Sequence, residues 1–355
     1  MRIIKLVFKW LDERFHLADL IEFGKHKTVP MHHSIWYYFG GITLFLFMIQ
    51  LATGILLLMY YRPTEAAAYE SVQYIISEVP FGWLVRSIHS WSANLLIAAA
   101  AIHMFSVFFL KAYRRPRELT WVTGLILLVL FMAFGFTGYL LPWNRLAFFA
   151  TKVGTEMLKV LPVVGDTMMQ MLRGGEHVTG ATLTRMFGFH VALLPAMVAI
   201  LVSVHLLFVQ RQGMSSPLNI RPPKEMPFFP NFIIRDLMVW IGVLIVLSTL
   251  SLYFPWELGL KADPIAPAPS GIEPEWFFLW MFQLLRIMPS EVLGLDGRLI
   301  IFAVIGVLGI GWTLVPWIDR NAAEGRPNKM LQRAGFFLLV AVSILTIWAK
   351  FFHHA

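Results

Sequence analysis

Six stretches of this 355-residue chain, 28–61, 87–110, 119–144, 186–210, 237–256 and 299–318, contain no Asp, Glu, Lys or Arg over twenty residues or more. At 1.5 Å per residue, about 20 apolar residues in a helix cross the roughly 30 Å hydrocarbon core of a bilayer. Only a helix or a closed barrel satisfies the backbone there, and windows of this length predict helices. A shorter seventh window, 334–349, ends at Lys350, whose long stem lets its ammonium reach the interface. The expected fold is therefore an all-α membrane protein with seven transmembrane helices. With 58% hydrophobic and 14% charged residues, the chain has too little polar surface for a soluble domain.

Residues 1–20 place Ile4, Val7, Phe8, Leu11 and Phe15 at helical spacing against Lys5, Lys9, Asp12 and Glu13. This predicts an amphipathic helix on the membrane surface rather than a cleaved leader. Of the 29 Lys and Arg, 18 lie before the first window or in the loops joining windows two to three, four to five and six to seven. That bias predicts a cytoplasmic N-terminus (the N side) and a C-terminus on the opposite, P side. The net charge of +8 is then topology plus attraction to anionic lipid, and no basic run with interleaved aromatics points to nucleic acid. There is no cysteine, which excludes disulfides, thiolate metal ligands and thioether-linked cofactors within the chain.

Pro, Ser and charge concentrate in 211–231, between four spans and three. The expected organisation is a surface segment at 1–30, a four-helix bundle at 31–213 and a three-helix part at 214–355. Two P-side connections are long, 142–185 and 257–298, and their apolar stretches 146–163 and 276–285 are too short to cross. They predict interfacial helices, and long structured loops on one face are a usual place for a binding site. The 13 Trp lie mostly near span ends, as an aromatic belt places them.

Spans two and four each carry two histidines, His89 with His103 and His190 with His205. At about 100° and 1.5 Å per residue, fourteen positions return to nearly the same helix face roughly 21 Å further on. Fifteen positions land within about 60° of it, and a bend at Pro195 can correct part of the offset. Both spans run from the P side to the N side, so depth pairs His89 with His190 and His103 with His205. Facing imidazoles across a bundle core suit the iron of a hexacoordinate heme, an apolar disc. A single histidine in a span more often hydrogen-bonds or handles protons, and a zinc or copper pair is a further alternative. Gly40 and Gly54 on span one, and Gly124 and Gly138 on span three, repeat the fourteen-residue interval and would bare the backbone at two depths. Glycines of this kind also serve plain helix packing. Arg86 lies one turn before His89, and Arg114, Arg115 and Arg117 follow His103, where heme propionates would need cations. The positive-inside bias accounts equally well for the second group.

With these residues in hand, the sequence resembles cytochrome b of the quinol-oxidising cytochrome bc complexes over essentially its whole length. The N-terminal part is closest to the cytochrome b6 branch in "GGITLFLFMIQLATG", "SVQYIISEVPFGWLVRSIHSW", "RRPRELTWVTG", "FGFTGYLLPW" and "TLTRMFGFH". The C-terminal part resembles the family's subunit IV, here joined in one polypeptide and ending after three spans, without an eighth helix. "PEWF", Pro274-Glu275-Trp276-Phe277, stands where the family has Pro-Glu-Trp-Tyr lining the P-side quinol oxidation site. The resemblance assigns quinol-proton acceptance to Glu275. Three departures stand out. Phe277 replaces the usual tyrosine, Asn144-Arg145 after "LPW" matches neither branch, and Tyr38 occupies the position of the cysteine that tethers an extra c-type heme in the b6 branch. Without cysteine, this chain holds no covalent c-type heme.

The resemblance implies two non-covalent bis-histidine b-type hemes and a Q-cycle with proton translocation in a bacterial inner membrane. Quinol gives one electron to a Rieske iron–sulfur protein, which passes it to a c-type cytochrome. The other crosses toward His103 and His205 and an N-side quinone site, where Asp236 is the expected proton donor and His32 and His33 stand near. A homodimer is implied. Two rival functions fit the histidines alone: a diheme anchor for a dehydrogenase, and a histidine-relay proton transporter.

Overall fold

The computed structural model describes residues 2–31, 34–218, 224–269, 271–324, 326 and 328–352. The N-terminal segment forms two helices, α1 (Arg2–Phe15) and α2 (Leu17–His26), instead of one continuous helix. His16, at φ 50°, turns the chain between them. The apolar side chains of α1, among them Ile4, Val7 and Phe15, are exposed, as expected of a helix whose partner is a lipid surface. Strand β1 (Thr28–Pro30) follows.

The first apolar window opens with a 3₁₀ turn, Ile35–Tyr38, that leads into α3 (Phe39–Leu58). Next come α4 (Ala68–Ser77), α5 (Gly82–Phe109) and α6 (Glu118–Leu140). The 142–185 connection folds into α7 (Arg145–Glu156) and α8 (Gly165–Arg173), both too short to cross. Span four is α9 (Gly180–Gly188) and α10 (Leu194–Gln212), joined without interruption by a π-turn over Phe189–Leu193. Strand β2 (Glu225–Pro227) and a second π-turn precede α11 (Ile233–Tyr253). After α12 (Leu279–Ile287) and the two-residue strands β3 (Glu291–Val292) and β4 (Leu295–Asp296) come α13 (Gly297–Thr313), α14 (Val315–Ile318) and α15 (Lys329–Phe351). Among the described residues the strands form two short antiparallel pairs, β1 with β2 and β3 with β4.

Among the described residues six helices are long and apolar enough to cross a membrane: Ile35–Leu58, Gly82–Phe109, Glu118–Leu140, Gly180–Gln212, Phe228–Tyr253 and Lys329–Phe351. The 299–318 window instead yields α13, of 17 residues, because the chain leaves helical geometry at Leu314 just before Pro316. Proline donates no N–H, so Pro316 cannot bond back to the Trp312 carbonyl, which accepts from Trp121 Nε1 instead. Conversely, the short 334–349 window lies in a 23-residue helix, started by Asn328, whose Oδ1 accepts from the N–H groups of Met330 and Leu331.

Helices α3, α5, α6 and α10 form a four-helix bundle. Its core lies midway along the helices, with Leu46 and Phe47 from α3, Ala99 and Ala100 from α5, Leu130 and Phe131 from α6, and Val198 from α10. The alanines fall between His89 and His103, so helices close up where small residues permit it. Helix α11 packs on α5 through Leu247, and its outer face exposes Met238, Ile241 and Ile245. Such an apolar surface is stable only against lipid. At the end of the bundle that carries the N-terminus, Lys111 Nζ and the Tyr113 hydroxyl both donate to Asp319 Oδ2, at 3.1 and 2.7 Å. Asn328 N–H donates to Oδ1 of the same carboxylate at 3.0 Å. These buried contacts tie the loop after α14 to the bundle.

Candidate functional site

Span four meets span two through an adjustment of one residue. A π-turn carries one more residue than the α-helical turn it replaces, so the fifteen-residue interval from His190 to His205 has the phase of fourteen in an unbroken α-helix. The correction is a π-turn two residues before Pro195, in place of a bend at that proline. His190 sits inside the turn, and its ring centroid lies 6.3 Å from that of His89, the planes tilted by 71°.

Each imidazole faces bare backbone. A Cβ on Gly138 would stand 2.6 Å from His190 Cε1, one on Gly40 would stand 3.0 Å from His103 Cε1, and those on Gly124 and Gly54 would stand 3.3 and 3.4 Å from Cε1 of His205 and His89. Three of these glycines follow a threonine. Thr53 Oγ1 lies 2.9 Å from His89 Nδ1, Thr123 Oγ1 2.9 Å from His205 Nδ1, and Thr137 Oγ1 3.2 Å from His190 Nδ1. Gly40 follows Phe39, and His103 Nδ1 is correspondingly the buried imidazole nitrogen with no hydrogen-bond partner among the described residues. Glycine makes room and the preceding hydroxyl, about 100° round the helix, orients the ring. Sequence reasoning found the glycines and missed the threonines, although the repeated Thr-Gly dipeptide was the signal.

The residues fit a bis-imidazole metal centre. A metal–imidazole bond of about 2 Å on each side, plus roughly 1.1 Å from nitrogen to ring centre, separates the two centroids by about 6.2 Å. The 6.3 Å between His89 and His190 matches. Nδ1 hydrogen bonding at three of the four rings leaves Nε2 for a metal. Among the described residues no group of three or more His, Cys, Asp or Glu could hold an ion by itself. Each such pair thus offers two imidazole nitrogens as ligands.

At the opposite end from the N-terminus, a cavity of about 230 Å³ opens between α6, α7 and α12. Its walls include Phe136, Met157, Phe278, Met281 and Phe282, and its polar groups include the Tyr139 phenol and the Glu275 carboxyl. Burial raises the Glu275 carboxyl above the ordinary carboxylate range, against the pull of the Lys350 ammonium. Pro274 lines the same cavity, and Trp276 Nε1 donates to Asn94 Oδ1 on α5 at 2.8 Å. Phe277 turns away into the bundle core, its Cζ lying 2.5 Å from where a Gly135 Cβ would be. Asn144 caps α7 by accepting from Ala147 N–H at 2.8 Å, and Arg145 donates to the Pro267 carbonyl at 2.7 Å. The Asn144-Arg145 departure therefore pins the 257–267 segment beside the cavity.

Toward the N-terminal end, both Asp236 carboxylate oxygens lie within 3 Å of where a Gly41 Cβ would stand, so bare backbone on α3 seats this α11 side chain. Tyr38 is buried and stacks on Phe232 at 5.4 Å. Arg86 donates to the Trp256 carbonyl at 2.6 Å, Arg114 to the carbonyls of Lys111 and Ser216, and Arg117 to those of Gly213 and Gln212. Arg115 pairs with Glu118 at 3.5 Å. Arg86 and Arg114 thereby tie the segments at Trp256 and Ser216 to the bundle, and Arg117 caps the end of α10, uses that spacing alone did not suggest. His32 and His33 lie outside the described residues.

A family model described as cytochrome b/b6/petB matches residues 24–213, and one described as cytochrome b(C-terminal)/b6/petD matches residues 261–353. The cytochrome bc complex cytochrome b subunit of Chlorobaculum thiosulfatiphilum is 49% identical over 343 residues, 95% of this chain and 79% of that one. The cytochrome b6 of Synechococcus sp. (strain JA-3-3Ab) is 47% identical over 212 residues, 60% of this chain and 99% of its own. Among solved structures, a chain of a hyperthermophilic respiratory Complex III aligns with a TM-score of 0.85 at 28% identity, covering 96% of this chain and 91% of that one.

Proposed function

The chain belongs to the cytochrome b/b6 family, and on that premise we propose that it is the diheme membrane subunit of a quinol:cytochrome c oxidoreductase complex. The observation that carries this reading is the His89–His190 pair, at the 6.3 Å separation a bis-imidazole heme requires and backed by glycine on the facing helices. Two b-type hemes, held by His89 with His190 and by His103 with His205, would supply one-electron transfer across the bilayer between two quinone sites. The protein supplies ligation, orientation and electrostatics.

The apolar cavity binds a quinol headgroup, and its aromatic walls exclude bulk water. Glu275, whose carboxyl burial brings toward neutral pH, accepts a proton from the bound hydroxyl. Trp276 and Asn94 hold the PEWF loop against α5 while this happens. At the other end, Asp236 delivers a proton to a quinone being reduced. Arg86 and Arg117, with five N–H donors each, have donors beyond the backbone contacts described above for propionates, and Arg114 is the third cation of this group. In this reading α13 and α14 together make the seventh crossing, the N-terminus is cytoplasmic in a bacterial inner membrane, and the complex is a homodimer with a Rieske protein and a c-type cytochrome.

A reduced-minus-oxidised spectrum of the purified complex tests the ligation, with two b-type hemes per chain expected; no b-type bands would sink the heme reading and favour a proton relay. Steady-state quinol oxidation tests the pocket. Glu275→Gln should slow it strongly with heme content unchanged, and an unaffected rate would favour a diheme anchor without a quinol-oxidising site.

A further inference from the structure

Helix α15 reaches the loop that carries Glu275 to the cavity. Lys350, in the final turn of α15, donates to Glu273 Oε2 at 2.8 Å, and the Glu273 side chain is only 15% exposed. Glu273 precedes Glu275 by two positions with Pro274 between, and Glu275 itself is extended, at φ −53° and ψ 147°. In extended chain, residues i and i+2 share a face about 6.6 Å apart. The ammonium bound to Glu273 is also felt electrostatically by Glu275, and of the two carboxylates Glu275 lines the cavity.

We propose that Lys350 and Glu273 are positioning residues that set, through opposed charges, the pH at which Glu275 becomes able to accept the quinol proton. This rests on the reading of Glu275 as that acceptor. The groups that act on Glu275 from other elements are Lys350 from α15 and the Tyr139 phenol from α6; that phenol also feels Glu273, two positions before Glu275 in the same loop. The walls contributed by α7 and α12 carry no ionisable side chain. The Lys350 cation favours the ionised carboxyl and the Glu273 anion disfavours it.

The sign of each perturbation follows. Quinol oxidation rises with pH as Glu275 ionises. Lys350→Met removes the favouring charge and moves this acidic limb to higher pH, by about 0.5 unit for a pair partly screened by solvent. Well below the limb midpoint, the rate falls about threefold. Glu273→Gln removes the disfavouring charge and releases the ammonium toward Glu275, so the limb moves to lower pH by a similar amount. Both variants break the same ion pair, so a role limited to bracing the loop would move both limbs the same way.

The experiment records pH–rate profiles of quinol oxidation for the purified complex and these two variants, with heme content as the check on assembly. Shifts of opposite sign support the proposal, whereas shifts of one sign, or none, overturn it. Lys350→Arg keeps the charge and should keep the wild-type limb; a limb displaced as far as in Lys350→Met would overturn the electrostatic role. Glu275→Gln separates the two levels: it should abolish the limb, and a limb that survives overturns the acceptor reading itself.

Discussion

Replacing Gly138 by alanine should remove one heme while leaving the helix bundle intact. The added Cβ would stand 2.6 Å from His190 Cε1, 3.1 Å from Nδ1 and 3.4 Å from Nε2. Carbon atoms in contact prefer about 3.5–4.0 Å, so the imidazole must retreat by roughly 1 Å. Metal–ligand distances tolerate about 0.2 Å. Thr137 fixes His190 Nδ1 at 3.2 Å, so sideways escape also breaks that hydrogen bond. Overpacking of this kind costs about 1–3 kcal/mol, equivalent to roughly 5- to 150-fold weaker heme retention. Helix propensity works the other way, since alanine is favoured over glycine by about 1 kcal/mol, so loss of heme would not reflect an unfolded helix. Gly54→Ala is the matched control, because its Cβ would meet His89 Cε1 at an ordinary 3.4 Å. Heme per chain, from the pyridine hemochrome spectrum, should fall toward about one for Gly138→Ala and stay near wild type for Gly54→Ala, with Gly40→Ala between them. Equal losses at Gly138 and Gly54, or none at either, would refute the reasoning.

Four further outcomes are expected. His103→Ala should abolish one b-type spectrum and spare the other; loss of both or neither would contradict the pairing with His205. Lys111→Met should lower thermal stability by about 3–5 kcal/mol, because it strands the buried Asp319 carboxylate, and a melting temperature within a degree of wild type would argue against it. Burial pushes the Asp319 carboxyl up, but hydrogen bonds from Tyr113, Asn328 and Lys111 outweigh it and hold its pKa below the ordinary 3.8. Its stabilisation is therefore complete above that value and is lost as pH falls through the lower folded-state value, so acid melting curves of wild type should steepen there and those of Asp319→Asn should not. Trp276→Phe deletes the 2.8 Å bond to Asn94, worth about 1 kcal/mol, and should raise the quinol KM about fivefold; an unchanged KM would show that the loop needs no such tether.

Much of the site was legible because its constraints are local and repeat along the chain. The histidine interval on span two, and the equal glycine intervals on spans one and three, are fixed by helix geometry and can be counted. Span four could not be counted in this way, since its extra residue is taken up by hydrogen bonds around His190 that neighbouring helices and Pro195 decide. The arginines show what sequence proximity leaves out: nearness to His89 and His103 suggested propionate partners, and the fold adds contacts that spacing does not show, from Arg86 to the Trp256 carbonyl and from Arg117 to the end of α10.

By itself the sequence determined that the chain lies in a membrane, that it crosses as helices, and at which two depths imidazole and bare backbone coincide. These follow from transfer energy and helical periodicity, which act within one segment. Only the tertiary structure decided where Phe277 points, that Asn94 holds Trp276, that Asp319 gathers Lys111, Tyr113 and Asn328, and that Lys350 reaches Glu273 from the last helix. Each of these joins residues far apart in the chain, and long-range contacts depend on how the bundle closes rather than on any periodicity that one helix can carry.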